Sequence, residues 1–269
     1  MTALAWPRRL AAGAILAATL VAAAQAPAAA RRGHGGGSSP HGNDISYPQC
    51  GSPYPTGQAF GVVGVNAGLP YSANSCIASE YQWALGSSST TQPKASFYLN
   101  TANPGPARSS HWPTGATAPK ACDGTWSASC SYDYGWNAAQ DSFADAATAV
   151  GQTAAASSPW WMDVETANSW NGSDPATNRA DIQGALDYLK TVRGVAAVGV
   201  YSTGAQWNQI TGATSPSSSV NAPFATTPNW VAGASSATAA PGYCTATFTG
   251  GRVTYVQYPA GGFDADYAC

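Results

Sequence analysis

The feature that most constrains the fold is a series of short, almost unbroken apolar runs separated by helix-like stretches. Gly61-Val62-Val63-Gly64-Val65 and Val198-Gly199-Val200-Tyr201 show no alternation of apolar with polar residues. A strand with one wet face alternates cleanly, whereas parallel strands covered on both faces read as continuous hydrophobic runs. Strands are predicted over residues 44–47, 60–66, 95–100, 160–165, 197–202, 229–232 and 253–258. Helices are predicted over 77–85, 135–154, 179–192 and, briefly, 205–210. In the third of these, Ile182, Leu186 and Leu189 recur at helical spacing, with Asn178 as N-cap and Gly194 as stop. Strand and helix in alternation over about 225 residues predict an α/β fold, an irregular TIM-like (β/α) barrel. The last third has Pro/Ser/Ala loops and strands but few helices, so the irregularity falls there. No internal repeat or second domain is visible.

The ends read differently. Arg8 and Arg9 precede an apolar run from Leu10 to Ala24 and a small-residue region ending near Ala30, the pattern of a secretory signal peptide over residues 1–30. The paired arginines leave the Sec and twin-arginine routes both open. Residues 31–42, rich in Gly, Ser, His and Pro, read as a mobile linker, which leaves 43–269 as the barrel domain. No other apolar run is long enough to span a membrane. A secreted, extracellular protein, disulfide-stabilised and monomeric, is the expectation.

All six cysteines (Cys50, Cys76, Cys122, Cys130, Cys244 and Cys269) lie beyond the leader, and an even count in an exported chain implies three disulfides. Cys122–Cys130 closes a short loop, and Cys50–Cys76 with Cys244–Cys269 are the simplest remaining pairs among the 15 connectivities that six cysteines allow. No C-x-x-C spacing occurs, which disfavours zinc or thiol redox chemistry. Only 9% of residues are charged; the formal net charge is −2, and losing Arg8 and Arg9 with the leader makes it −4. Without a basic patch, nucleic acid is excluded as a partner. A surface of Ser, Thr, Asn, Gly and aromatic residues suits a neutral polar ligand such as a glycan.

The chemistry concentrates in Trp160-Trp161-Met162-Asp163-Val164-Glu165. Alternation along a strand turns Asp163 and Glu165 to one face, with Cα atoms about 6.6 Å apart, and Val164 to the other. Two carboxyls that close beside apolar rings cannot both ionise freely, so one pKa rises. One carboxyl is then able to donate a proton while its companion stays charged. Glu165 is one of only two glutamates, Glu80 being the other. In a barrel, functional residues sit at the C-terminal strand ends. Asp44 lies on the first strand, and Asp264, in Asp264-Ala265-Asp266, follows the last, Gln257-Tyr258-bearing strand. Closure makes those two strands neighbours, so Asp44 and Asp264 approach each other. A serine hydrolase lacks its G-x-S-x-G, metal catalysis lacks histidine clusters, and no P-loop is present. No cofactor is expected; calcium on Asp264 and Asp266 is the one metal alternative.

The order of these pieces resembles the family-25 glycoside hydrolases, the lysozyme-like muramidases, and a group of divergent exported bacterial glycoside-hydrolase-like proteins. Asp44-Ile45-Ser46 with Gln49 matches the family's opening D-[IV]-S-x-x-Q, and Asp163-Val164-Glu165 its D-x-E. Tyr201, Trp230-Val231-Ala232, Gln257-Tyr258 and Asp264-Ala265-Asp266 match later motifs in order, so the resemblance spans residues 43–269. It implies hydrolysis of a β-1,4 glycosidic bond in peptidoglycan. Glu165 then protonates the leaving oxygen, Asp163 stabilises the oxocarbenium-like centre or orients the N-acetyl group, and Asp44 and Asp264 tune that pair. Tyr98, Tyr201, Trp230 and Gln257 become the substrate-binding residues, with Trp136 and Trp170 as further stacking candidates. The chain departs from the family at Asn66-Ala67-Gly68, at 97–105, and in an insertion over 108–133 carrying Cys122 and Cys130. These departures line the groove and bear on which sugar is taken. The alternative function is an inactive glycoside-hydrolase-like barrel that binds cell-envelope glycan.

Overall fold

The computed structural model describes residues 39–269, so the leader predicted over 1–30 and residues 31–38 of the predicted linker lie outside the described residues. Strands β1 (His41–Ile45), β2 (Gly61–Gly64), β3 (Ala95–Asn100), β4 (Trp160–Asp163), β5 (Val198–Ser202), β6 (Asn229–Val231), β7 (Val253–Ala260) and β8 (Phe263–Ala268) close a barrel in sequence order. β1 to β7 run parallel to one another, and β8 is antiparallel to both β7 and β1. Helices α1 (Ile77–Leu85), α2 (Ala128–Val150), α3 (Gln152–Ser157), α4 (Pro175–Asp187) and α5 (Gly204–Thr211) surround it; after α5 the connections are 3₁₀ turns and loops. The barrel and its helix-poor final third match the sequence expectation.

Alternation along the strands divides the apolar residues into two cores. Val63, Val65, Phe97, Leu99, Trp160, Met162, Val164 and Val200 face the helices, while Val62, Trp161, Trp230 and Tyr255 fill the barrel with Tyr98 and Tyr201 against them. The interior takes three such large rings because a neighbouring strand gives way. A Cβ at Gly199 would lie 2.2 Å from Trp161 Cζ3, so only glycine lets that indole lie across the barrel.

Several boundaries differ from expectation for identifiable reasons. β1 takes in His41 and Gly42, which composition assigns to the linker, because β8 pairs with them at Tyr267 and Asp266. β8 itself went unpredicted: its Phe-Asp-Ala-Asp-Tyr-Ala sequence has too little apolar content to signal a strand. Asp264 therefore lies on a strand, not after the last one. Gly261 and Gly262, with φ of 61° and 87°, form the two-residue turn that reverses the chain into it. α4 starts at Pro175, capped by Asp174, whose carboxylate accepts from Ala176 N at 3.0 Å; Asn178 is inside the helix and not its cap. α4 passes into a π turn over Tyr188–Val192 before Gly194. α2 begins at Ala128, inside the predicted insertion, and breaks at Gly151 with φ of 91°.

The three disulfides are Cys50–Cys76, Cys122–Cys130 and Cys244–Cys269, the simplest pairing. The first and last close loops of 26 and 25 residues. Chain-entropy reasoning gives each of these about 3–4 kcal/mol of stabilisation. Among the described residues, no helix is long and apolar enough to cross a membrane.

Candidate active site

Strand ends bring the sequence-predicted acids together. Asp44, Asp163, Glu165 and Asp264 line one cavity of about 140 Å³ at the C-terminal face of the barrel, with Tyr98, Tyr201, Trp230 and Gln257 completing its wall. A neighbouring groove of about 420 Å³ shares Asp44, Tyr98 and Asp264 and runs along the β7–β8 turn past Ser46, Pro48 and Gln49. All eight predicted catalytic and substrate-binding residues therefore meet. The insertion over 108–133 contributes to neither space. Its Trp112 and Cys122 pack instead on Cys130 and Tyr134 of α2, with Tyr71 alongside.

Asp163 closes β4 and is 5% exposed. Thr101, just past β3, donates to the Asp163 carbonyl from both N and Oγ1, at 3.0 and 2.7 Å. Asn100 Nδ2 donates to Asp163 Oδ2, while Asp163 Oδ1 is buried with no donor against it. Asn100 is held in turn by Asn66: Asn100 N donates to Asn66 Oδ1 at 3.0 Å, and Asn66 Nδ2 donates back to Asn100 O at 3.2 Å. Burial, reinforced by the Glu165 and Asp44 charges, pushes the Asp163 carboxyl well above the usual carboxylate range. That direction favours the protonated form of Asp163, whereas the sequence expectation has Asp163 as the charged companion of Glu165.

Glu165 lies two residues beyond β4, half-buried, with Val164 turned into the helix-facing core as alternation requires. Gln206 of α5 donates from Nε2 to Glu165 Oε1 at 3.3 Å. Its amide cannot flip without loss, because Gln206 Oε1 accepts from Thr166 N and Oγ1 at 2.6 and 2.9 Å. Trp170 Nε1 donates to the Glu165 carbonyl at 2.7 Å, so this tryptophan braces the loop. Asn178 ties the surrounding loops together: its amide donates to Asn171 O and Ile210 O, and its Oδ1 accepts from Asn103.

Across the cavity, Asp44 of β1 is in register with Asp264 of β8. Tyr201 OH donates to Gln257 Oε1 at 2.7 Å, and Gln257 Nε2 donates to Asp44 Oδ2 at 3.1 Å. Burial keeps the Tyr201 phenol protonated and able to serve as that donor. Burial and the Asp264 charge raise Asp44 to about 7, against the lowering effect of Gln257 and Asp266. Asp264, exposed on the rim, is raised by burial of its carboxyl.

The aromatic candidates divide. Tyr98 and Tyr201 face the cavity, but Trp230 is 2% exposed and its indole N–H donates to Asp266 Oδ1 at 2.7 Å, so it is floor and not an open stacking platform. Trp136 packs on Tyr132 and Tyr188 among the outer helices, away from the acids. Gln206 and Asn100 carry no sequence signal of a site role, and Asp266 enters the sequence reading only within the Asp264-Ala265-Asp266 motif and as a calcium alternative. Among the described residues no group of His, Cys, Asp or Glu is arranged to hold a metal ion.

Fold and site together define a closed α/β barrel with a carboxyl-lined cavity at its C-terminal strand ends. The crystal structure of the bacterial lysozyme from Streptomyces coelicolor superimposes with a TM-score of 0.50 at 18% identity, covering 86% of this chain and 92% of that one. At that identity the likeness is one of fold. No family model matches the sequence, and no curated protein does so.

Proposed function

We propose that the chain is a secreted glycoside hydrolase that cleaves a glycosidic bond by carboxylate acid catalysis, with the glycan strand of peptidoglycan as its substrate. The observation that carries this reading is the convergence of Asp163 and Glu165 with Asp44 on a cavity that opens at the C-terminal face and is clear of the 108–133 insertion. The lysozyme-type fold supports it.

Glu165 is the proton donor to the leaving oxygen. One of its oxygens is fixed by Gln206, which aims the carboxyl while leaving the other for substrate. Asp163 stands beside it on the same strand face, its carboxyl raised chiefly by burial. It stabilises the positive charge that grows at the anomeric carbon as the leaving oxygen departs. Asp44, Tyr98, Tyr201 and Gln257 orient the sugar, and the β7–β8 groove receives the next unit of the strand.

Purified protein is expected to release reducing sugar from peptidoglycan, and Glu165→Gln to lose turnover by about 10²–10⁴-fold with the fold intact. Retention on peptidoglycan without any release, by wild type as by the variant, defeats the enzyme reading in favour of a glycan-binding barrel.

A further inference from the structure

Beneath the predicted acids lies a fifth carboxyl, Asp266, which is 0% exposed. On β8 it shares the inward face with Asp264, and Asp44 is in register with Asp264 across the β1–β8 ladder, so Asp266 is its diagonal neighbour. Its two oxygens are in different situations. Oδ1 accepts the Trp230 indole N–H at 2.7 Å, whereas Oδ2 is buried with no donor against it. The carboxyl within hydrogen-bond reach of it is Asp44, itself an acceptor whose Oδ2 takes the Gln257 amide at 3.1 Å. Two ionised carboxylates in that position would leave a buried oxygen unpaired and two like charges in contact, each strongly unfavourable. A proton on Asp266 Oδ2 removes both problems, because it turns an orphaned acceptor into a donor to Asp44.

We propose that Asp266 is a positioning residue that retains a proton and donates it as a hydrogen bond to Asp44, locking that carboxyl toward the cavity. Its bearing on catalysis rests on the glycosidase reading; its protonation does not. Burial and the Asp44 charge push Asp266 well above the usual carboxylate range, in agreement with the geometry. Among the described residues no cation acts on it: Asp264 adds to the negative field, and Tyr255 and Tyr258 near it are phenols held above their ordinary range. Around Asp44 the remaining titratable neighbours, Tyr98, Asp163 and Tyr201, are likewise neutral phenols or acid.

The test is carboxyl ¹³C NMR of the full chain across pH, with Asp44→Asn assigning the Asp44 signal, in wild type, Asp266→Asn and Asp266→Ala. Asparagine keeps a donor toward Asp44 and an acceptor for Trp230. If Asp266 holds a proton, Asp266→Asn leaves the Asp44 midpoint within about half a unit of wild type, and Asp266→Ala, which removes the donor, raises it. A charged Asp266 predicts the opposite: Asp266→Asn lowers the Asp44 midpoint by more than about one unit by removing a like charge, and that result overturns the proposal. In activity, Asp266→Ala is expected to lower kcat about tenfold with little change in KM, and Asp266→Asn to rescue it. Wild type without turnover but with the NMR pattern intact would defeat the glycosidase reading and leave the protonation of Asp266 standing. Should Asp266→Ala fail to fold, the asparagine variant alone decides.

Discussion

At the scale of single residues, the site is built on side chains that spend their hydrogen bonds holding other side chains. Gln206 illustrates this: Thr166 fixes its carbonyl end, and the amide end is left for Glu165. Gln206→Ala removes those hydrogen bonds and should cost about 0.5–1.5 kcal/mol of stability, well short of unfolding the barrel. On the proposed glycosidase reading it should lower kcat by about tenfold, since a mis-aimed proton donor loses orientation more than binding. Thermal melts and steady-state kinetics on the same preparation check both halves, and a fall in KM-dependent binding alone would contradict the role. Such residues are hard to recognise in a sequence. A glutamine on a helix is most often a solvated surface residue, and nothing at position 206 distinguishes it from Gln183 or Gln140. Asp163 and Glu165 could be recognised because they rely on strand alternation, a local property. The upward shift of the Asp163 carboxyl could not, because its main cause is burial within the closed barrel.

At the scale of elements, the parallel strands announce themselves through doubly buried apolar runs, and β3 falls on its predicted residues. β8 does not, because two of its inward positions are the acids Asp264 and Asp266 and its pairing partners lie at both ends of the chain. Its placement matters for chemistry: the reversal at Gly261-Gly262 carries the wall of the larger groove and sets Asp264 against Asp44. Neither the cavity nor the groove is lined by Lys, Arg or His. An acid-lined groove with no cation offers a polyanion no counter-charge and accepts neutral or amine-bearing sugars. Binding to neutral chitooligosaccharides should thus exceed binding to uronate-containing oligomers of equal length, most clearly at low salt. Equal affinities at low ionic strength would contradict that selectivity. In the barrel wall, Gly199→Ala forces Trp161 from its place and should destabilise by about 1–3 kcal/mol, measurable by denaturant titration.

At the scale of the whole molecule, the unusual property is a set of buried acids with few cations to balance them. Asp44 rises from 3.8 to about 7 through burial and the Asp264 charge. Glu80, fully buried on α1, rises from 4.5 to about 7 through burial, opposed by the Asn74 amide that donates to its Oε2 at 2.7 Å. Asp163, Asp181 and Asp266 are pushed well above 3.8, burial being the main cause in each. Asp123 moves the other way, its carboxylate taking the Thr125 hydroxyl, which affects only the acid end of the range. Between the unfolded values near 4 and the native values, the folded chain binds more protons than the unfolded one. Stability then falls as pH rises, since the slope of the unfolding free energy follows the protons bound by the unfolded state minus those bound by the native state. The contributions of Asp44 and Glu80 are present below about 4 and lost progressively up to about 7. The melting temperature is therefore expected to be higher near pH 5 than near pH 8, and unfolding at pH 6 in a weakly buffered solution should release protons. Glu80→Gln keeps the size and the Asn74 contact but cannot ionise, so it should flatten the slope while leaving the melting temperature at pH 5 little changed. Calorimetry of both proteins between pH 5 and 8 decides the matter: a melting temperature that climbs with pH, or proton uptake on unfolding, would mean that these carboxyls are ionised in the native barrel.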